Sequence, residues 1–214
     1  MTDFTFFFNP MSRSQIARWA LHEVKADYDP VLVEWGKKPA ALLEANPMGK
    51  LPTIIHHHAG HDHVVSEGAA VCHYLAAVHP QAGLLPGEHE MADYFRWLFF
   101  AAGPLEQAAT AKMFGWQVPP EQEMAAGFGN YDRAMGALDT WLGAHAFVCG
   151  DRFTMADVYV GSHVDWDMAF KSFPETENFL AYAERFRARD AYKEAKAIDN
   201  ALIAEMQKAQ GPSE

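Results

Sequence analysis

The chain has few cysteines, no long apolar run and no excess of basic charge. Its two cysteines, Cys72 and Cys149, are too few and too far apart for a disulfide framework or a cysteine-based zinc site. Although 50% of the residues are hydrophobic, no window approaches the roughly 20 uninterrupted apolar residues that a membrane span needs. Met1-Thr2-Asp3 leads directly into a strand-like run, without the basic segment and apolar stretch of a secretory signal. A reduced, cytoplasmic protein without a membrane partner is therefore expected. The net charge of −11 argues against nucleic acid, whose binding rests on Lys and Arg neutralising phosphates. Residues 1–80 hold 6 Lys+Arg and 8 Asp+Glu, and the remainder holds 11 and 20, so most of the acidity lies in the second part. The plainest reading of that acidity is a soluble, self-repelling helical surface.

A connector divides the chain. His79-Pro80-Gln81-Ala82-Gly83-Leu84-Leu85-Pro86-Gly87 is rich in Pro and Gly and has no regular period. The expected organisation is a first domain over residues 1–80, a linker over 81–90 and an all-helical domain over 91–214. In the first part, strands are expected at Phe4–Phe8, Tyr28–Glu34, Thr53–His57 and His63–Val65. Helices are expected over Ser12–Val24, Pro39–Glu44 and Ala69–Ala77. Beyond the linker, Tyr94, Trp97, Leu98, Ala101 and Leu105 recur at spacings of three and four, giving a helix over Ala92–Gln107 that Pro104 should bend. Tyr131, Met135, Leu138 and Trp141 mark another over Gly127–Ala144. Thr154 and Asp157 form a capping pair, with Phe153 and Val158 as a hydrophobic staple, so a core helix starts there.

The most informative stretch is Asn46-Pro47-Met48-Gly49-Lys50-Leu51-Pro52-Thr53-Ile54, followed by Ser66-Glu67-Gly68-Ala69-Ala70. It reads as a turn, a strand and the start of a helix. Pro52 stands at the strand's beginning, where its missing N–H takes nothing from the ladder. A cis Leu51-Pro52 bond would turn the chain there and present that edge to an extended ligand. Glu67 precedes a helix whose first N–H groups are unpaired and suit a carboxylate. A proline-led edge, an acidic residue and a helix N-terminus together make a site for a small peptide carrying both charges.

These residues resemble the glutathione-binding half of the soluble glutathione S-transferases, and the likeness, of bacterial type, runs the length of the chain. Leu51-Pro52-Thr53 and Glu67-Gly68 match the family's proline loop and acidic turn. Phe6-Phe7-Phe8-Asn9-Pro10-Met11-Ser12-Arg13-Ser14, with Arg18-Trp19 behind it, looks like its first strand and helix. Gly150-Asp151-Arg152-Phe153-Thr154-Met155-Ala156-Asp157 looks like the start of its buried C-terminal helix. The resemblance implies an α+β fold, with an N-terminal thioredoxin-like domain followed by an all-α helical bundle, and a homodimer.

It also implies that glutathione is the co-substrate, that its thiolate is conjugated to a small apolar electrophile, and that the role is detoxification. On the same scaffold the alternatives are a glutathione-dependent peroxidase, reductase or isomerase, or a non-catalytic ligand-binding protein. The backbone of Leu51 before Pro52 would pair with the cysteinyl part, and Glu67 would accept from the γ-glutamyl ammonium. The N–H groups of Gly68 and Ala69 would hold the γ-glutamyl carboxylate. The family usually has Ser where this chain has Gly68, so one hydrogen bond is missing. Lys50 reaches for the glycine carboxylate, with Lys37 and Lys38 as weaker candidates.

The thiolate needs a donor at the start of the first helix. No Tyr or Cys lies in that turn, which excludes those two mechanisms and counts against mixed-disulfide chemistry. The candidates are Ser12, Arg13 and Ser14. Aligned from Pro10, the Cys position of the bacterial beta class falls on Arg13. A serine hydroxyl at a helix start can donate to the anion, a guanidinium can offset its charge, and either serine can simply cap the helix. Met11, Phe99, Phe100, Met113, Phe114 and Trp116 supply the apolar bulk expected of a second-substrate pocket.

His56-His57-His58-Ala59-Gly60-His61-Asp62-His63 packs five histidines into a hairpin. That density could bind nickel, copper or zinc. Alternate residues face opposite sides of a strand, so His56 and His58 diverge from His57, and the hairpin is expected to point away from the glutathione site. The stretch is read as an exposed polar turn. No metal is needed for the implied chemistry.

Overall fold

The computed structural model describes residues 2–210. The first compact unit, Met1–Ala82 with Ala188–Glu214, is built on strands β1 (Phe4–Phe8), β2 (Tyr28–Leu32), β3 (Thr53–His58) and β4 (His61–Ser66), ordered β2-β1-β3-β4. β1 and β2 run parallel, joined through helix α1 (Ser14–Glu23), whereas β1–β3 and β3–β4 are antiparallel. Helices α2 (Ala40–Ala45) and α3 (Gly68–Val78) complete the thioredoxin-like arrangement expected from the sequence.

The run Phe4-Thr5-Phe6-Phe7-Phe8 alternates faces. Phe4 and Phe6 are fully buried, and the guanidinium of Arg18 on α1 lies 4.4 Å from the Phe8 ring centre and 5.3 Å from that of Phe6. Phe7 points to the other face and packs with Val33 and Leu42 of α2. A strand apolar on both faces fits a position inside the sheet with helices on each side.

Helix α9 (Asp190–Gln210) packs on α1, so it belongs to this first unit. The sequence reading grouped it with the helices that follow the connector. Its anchor is an ion pair that no local pattern reveals: Arg18 Nε donates to Asp199 Oδ1 at 2.8 Å, with both side chains 2% exposed.

The second unit, Gly83–Arg187, is helical. Helix α4 (Met91–Phe100) continues through a π-helical turn, Ala101–Leu105, into α5 (Glu106–Phe114). Pro104 lies in that turn, where the wider winding absorbs its missing N–H. The helix therefore extends beyond the expected end at Gln107. Helix α6 (Tyr131–Ala144) is capped by Asn130, whose side chain accepts the Arg133 N–H, and so starts four residues after the expected Gly127.

Helix α7 (Met155–Ala169) carries the expected capping box, and α8 (Glu177–Arg187) packs on it. Asp157 does more than cap. It accepts from the backbone N–H of Thr154 and Val148, each at 2.8 Å, and from the Tyr182 hydroxyl at 2.9 Å. Among the described residues no helix is long and apolar enough to cross a membrane.

Candidate functional site

The sheet register explains how distant parts of the sequence converge. Phe7 pairs with Thr53 and Thr53 pairs with Ser66, so β1 ends, β3 begins and β4 ends at one edge of the sheet. That edge therefore collects the turn before α1, the Leu51–Pro52 step and the Glu67 turn before α3. The Leu51–Pro52 peptide bond is cis.

The turn before α1 is organised by Asn9, a fully buried residue that the sequence reading passed over. The Asn-Pro dipeptide that marks a turn was the available signal. Its amide donates to Val33 O at 2.9 Å, and its side-chain oxygen accepts the Met11 N–H at 2.9 Å. Ser14 is 1% exposed and fully engaged: its hydroxyl donates to Asn9 O at 2.6 Å and accepts the Asn9 N–H at 3.0 Å.

Ser12 is half-buried and held differently. Its oxygen accepts the Ser14 N–H at 3.1 Å, and its one proton has two acceptors in reach, Asn9 O at 2.8 Å and Ser14 Oγ at 2.7 Å. Arg13 is the N-cap residue and is exposed. The helix thus starts at Ser14, and Ser12 lies just before the cap rather than at it.

At the neighbouring turn, Lys50 O accepts from Thr53 Oγ1 at 2.9 Å and from the Asn46 amide at 3.3 Å, so buried polar side chains fix the backbone that leads into Leu51. Lys50 itself is exposed. Glu67 is the N-cap of α3 and is exposed, with φ +69° and ψ +118°. A non-glycine residue at positive φ costs on the order of 1–3 kcal/mol, and such residues cluster where function demands a particular direction. No rule of sequence periodicity anticipates this backbone. The N–H groups of Gly68 and Ala69 open the helix immediately after it.

Of the six second-substrate candidates, Met11 belongs to the first unit and the other five to the helical unit. Met11 lies in the turn before Ser12, with 36% of its surface exposed. In the helical unit, Phe114 and Trp116 form a ring pair with centroids 5.2 Å apart, and both are exposed. Trp116 also lines a mostly apolar cavity of about 270 Å³ with Thr110, Val118, Phe128 and Glu106; Phe99, Phe100 and Met113 do not line it. Val118 and Phe128 lie in an irregular stretch with no periodic signal.

Comparison with known proteins matches residues 10–78 to the family model "Glutathione S-transferase, N-terminal domain" and residues 92–190 to "Glutathione S-transferase, C-terminal domain". The chain belongs to the glutathione S-transferase family. It is similar to glutathione S-transferase GstA of Escherichia coli O157:H7, with 25% identity over 200 residues covering 90% of this chain and 97% of that protein. Among solved structures it resembles the theta class glutathione S-transferase of Xanthomonas axonopodis pv. citri with glutathione bound, at TM-score 0.71 and 25% identity, covering 91% of this chain and 97% of that one. It also resembles elongation factor 1-gamma of Artemia salina, 27% identical over 126 residues, which covers 58% of this chain and only 28% of that protein. The family's fold, a thioredoxin-like domain with a mixed four-stranded sheet followed by a helical domain, is the one described above.

Proposed function

We propose that this chain is a glutathione transferase that binds glutathione at the sheet edge bounded by Ser12, Leu51–Pro52 and Glu67 and adds its thiolate to a small apolar electrophile. The observation that carries this reading is the hydroxyl of Ser12, whose single proton is shared between two acceptors and can be turned toward a third. A thiolate arriving there receives that proton as a hydrogen bond, beside the positive end of α1 and near the exposed guanidinium of Arg13. The backbone of Leu51 holds the cysteinyl part, Glu67 accepts from the γ-glutamyl ammonium, and the N–H groups of Gly68 and Ala69 take its carboxylate. Lys50 faces solvent within the same loop and serves the glycine carboxylate.

In the reaction the thiol proton leaves to solvent. The sulfur lone pair forms a carbon–sulfur bond, and the leaving group departs with the electron pair of the bond that breaks. Met11, in the same turn as Ser12, supplies apolar surface for the electrophile.

The test is the rate of conjugation of a chlorinated nitroarene by wild type, Ser12→Ala, Arg13→Ala and Ser14→Ala. Loss of about tenfold or more in kcat for Ser12→Ala, with glutathione affinity unchanged, marks the donor acting on the transition state. An unchanged rate removes Ser12 from the mechanism.

A second reading is a non-catalytic glutathione-binding protein. The absence of the usual Ser at Gly68 and the likeness to elongation factor 1-gamma favour it. Glutathione binding with no turnover of any electrophile would decide for it.

A further inference from the structure

The histidine hairpin is organised differently from a merely polar turn. The two-residue turn Ala59-Gly60 sets His58 opposite His61 and His56 opposite His63. Side chains alternate faces along a strand, so these four rings share one face, while His57 and Asp62 pair on the other. His57 is fully engaged there, with Nδ1 against Asp62 Oδ1 at 2.7 Å and Nε2 against Thr5 Oγ1 at 2.9 Å.

On the first face the ring centre of His56 lies 5.2 Å from that of His58 and 6.2 Å from that of His63. These three rings, with His79, Tyr74 and Asp3, line a recess of about 410 Å³. From this arrangement we infer a binding site for a borderline divalent transition metal ion, zinc, nickel or copper, with His56, His58 and His63 as its ligands.

The distances fit the chemistry. Imidazole nitrogen binds zinc at about 2.0–2.1 Å, which puts two rings sharing one ion roughly 5 Å apart between centres. As the rings stand, no three of the described His, Cys, Asp and Glu side chains are arranged to hold a metal. His58 and His63 are exposed, so the site requires His63 to turn about its side-chain bonds to join the other two rings.

His56 is already oriented. Its Nδ1 lies 2.9 Å from the Tyr74 hydroxyl, and with Nδ1–H donating to that oxygen, Nε2 keeps its lone pair for a metal. In the same recess Nε2 of His79 is buried without a hydrogen-bond partner. An all-imidazole set selects zinc, nickel or copper over calcium and magnesium.

The site is independent of the glutathione reading, because it lies at the turn end of the β3–β4 hairpin. Calorimetric titration of the tag-free full chain with zinc chloride tests it, with melting temperature followed in parallel. One equivalent should bind, and the melting temperature should rise with free zinc, because the ion binds the folded form. His58→Ala and His63→Ala should each weaken binding by about tenfold or more. His57→Ala, on the opposite face, should leave it unchanged.

Absence of both heat and stabilisation up to about 1 mM zinc overturns the site. So does a loss on His57→Ala equal to that on His63→Ala. If a variant folds poorly, cobalt(II) applied to the unaltered chain reads the same geometry. The imidazole resonances of His56, His58 and His63 should broaden before that of His22, and uniform or absent broadening contradicts the assignment.

Discussion

Ser12 and Ser14 stand two residues apart and share a hydrogen bond, yet only one has freedom to act. Ser14 satisfies Asn9 in both directions from a buried position, so Ser14→Ala leaves the Asn9 N–H without its acceptor. We expect that change to cost about 1–3 kcal/mol in urea unfolding. Ser12→Ala should cost less stability and more rate, and the reverse pattern would exchange their roles. Asp157 gives a pH-dependent counterpart in the helical unit. Burial pushes its carboxyl up to about 6 from 3.8, against the pull of its hydrogen bonds to Val148, Thr154 and Tyr182. A folded pKa above the unfolded one means that its protonation stabilises the fold, fully below pH 3.8 and progressively lost as pH rises through about 6. Asp157→Asn removes this titration. The variant's deficit relative to wild type should therefore be about 1 kcal/mol larger at pH 5 than at pH 7, measured by urea midpoints. A deficit independent of pH would mean that the carboxylate stays charged throughout.

Elements that announce themselves locally were legible in the sequence. β1 was readable from its run of phenylalanines, the start of α7 from Thr154 and Asp157, and the turns before β3 and α3 from Pro52 and Glu67. Boundaries moved where a single side chain set them: Asn130 starts α6 later than its periodicity suggested, and Pro104 is accommodated in a π-helical turn without ending the helix. The shared face of His56, His58, His61 and His63 was present in the strand alternation and the two-residue turn, but it emerges only when both strands are read in register. The docking of α9 on α1 was not legible, because it rests on residues 181 apart. Arg18 and Asp199 are buried as a pair, and each keeps a polar atom, Nη2 and Oδ2, without a partner. Removing one partner strands the other charge, so Arg18→Met should destabilise the protein by about 3–5 kcal/mol. Arg18→Met with Asp199→Leu should cost clearly less than the sum of the single changes in a double-mutant cycle. Simple additivity would show that the pair does not act as a unit.

For the whole molecule, the net charge of −11, concentrated in the second part of the chain, disfavours anionic partners. We propose that it nonetheless pairs with a second copy of itself through apolar surface on α4, where Met91 and Phe99 are 49% and 65% exposed. Sedimentation at micromolar concentration should give one species of twice the chain mass, and a monomer contradicts the pairing.

We propose that the edge formed by Ser12, Leu51–Pro52 and Glu67 both binds glutathione and activates its thiol. Ultraviolet titration of protein-bound glutathione, following thiolate absorbance against pH, tests that claim directly. A bound thiol pKa well below that of free glutathione is the predicted result and establishes an activated nucleophile. Binding with an unshifted thiol pKa would contradict the account and leave a protein that holds glutathione without activating it.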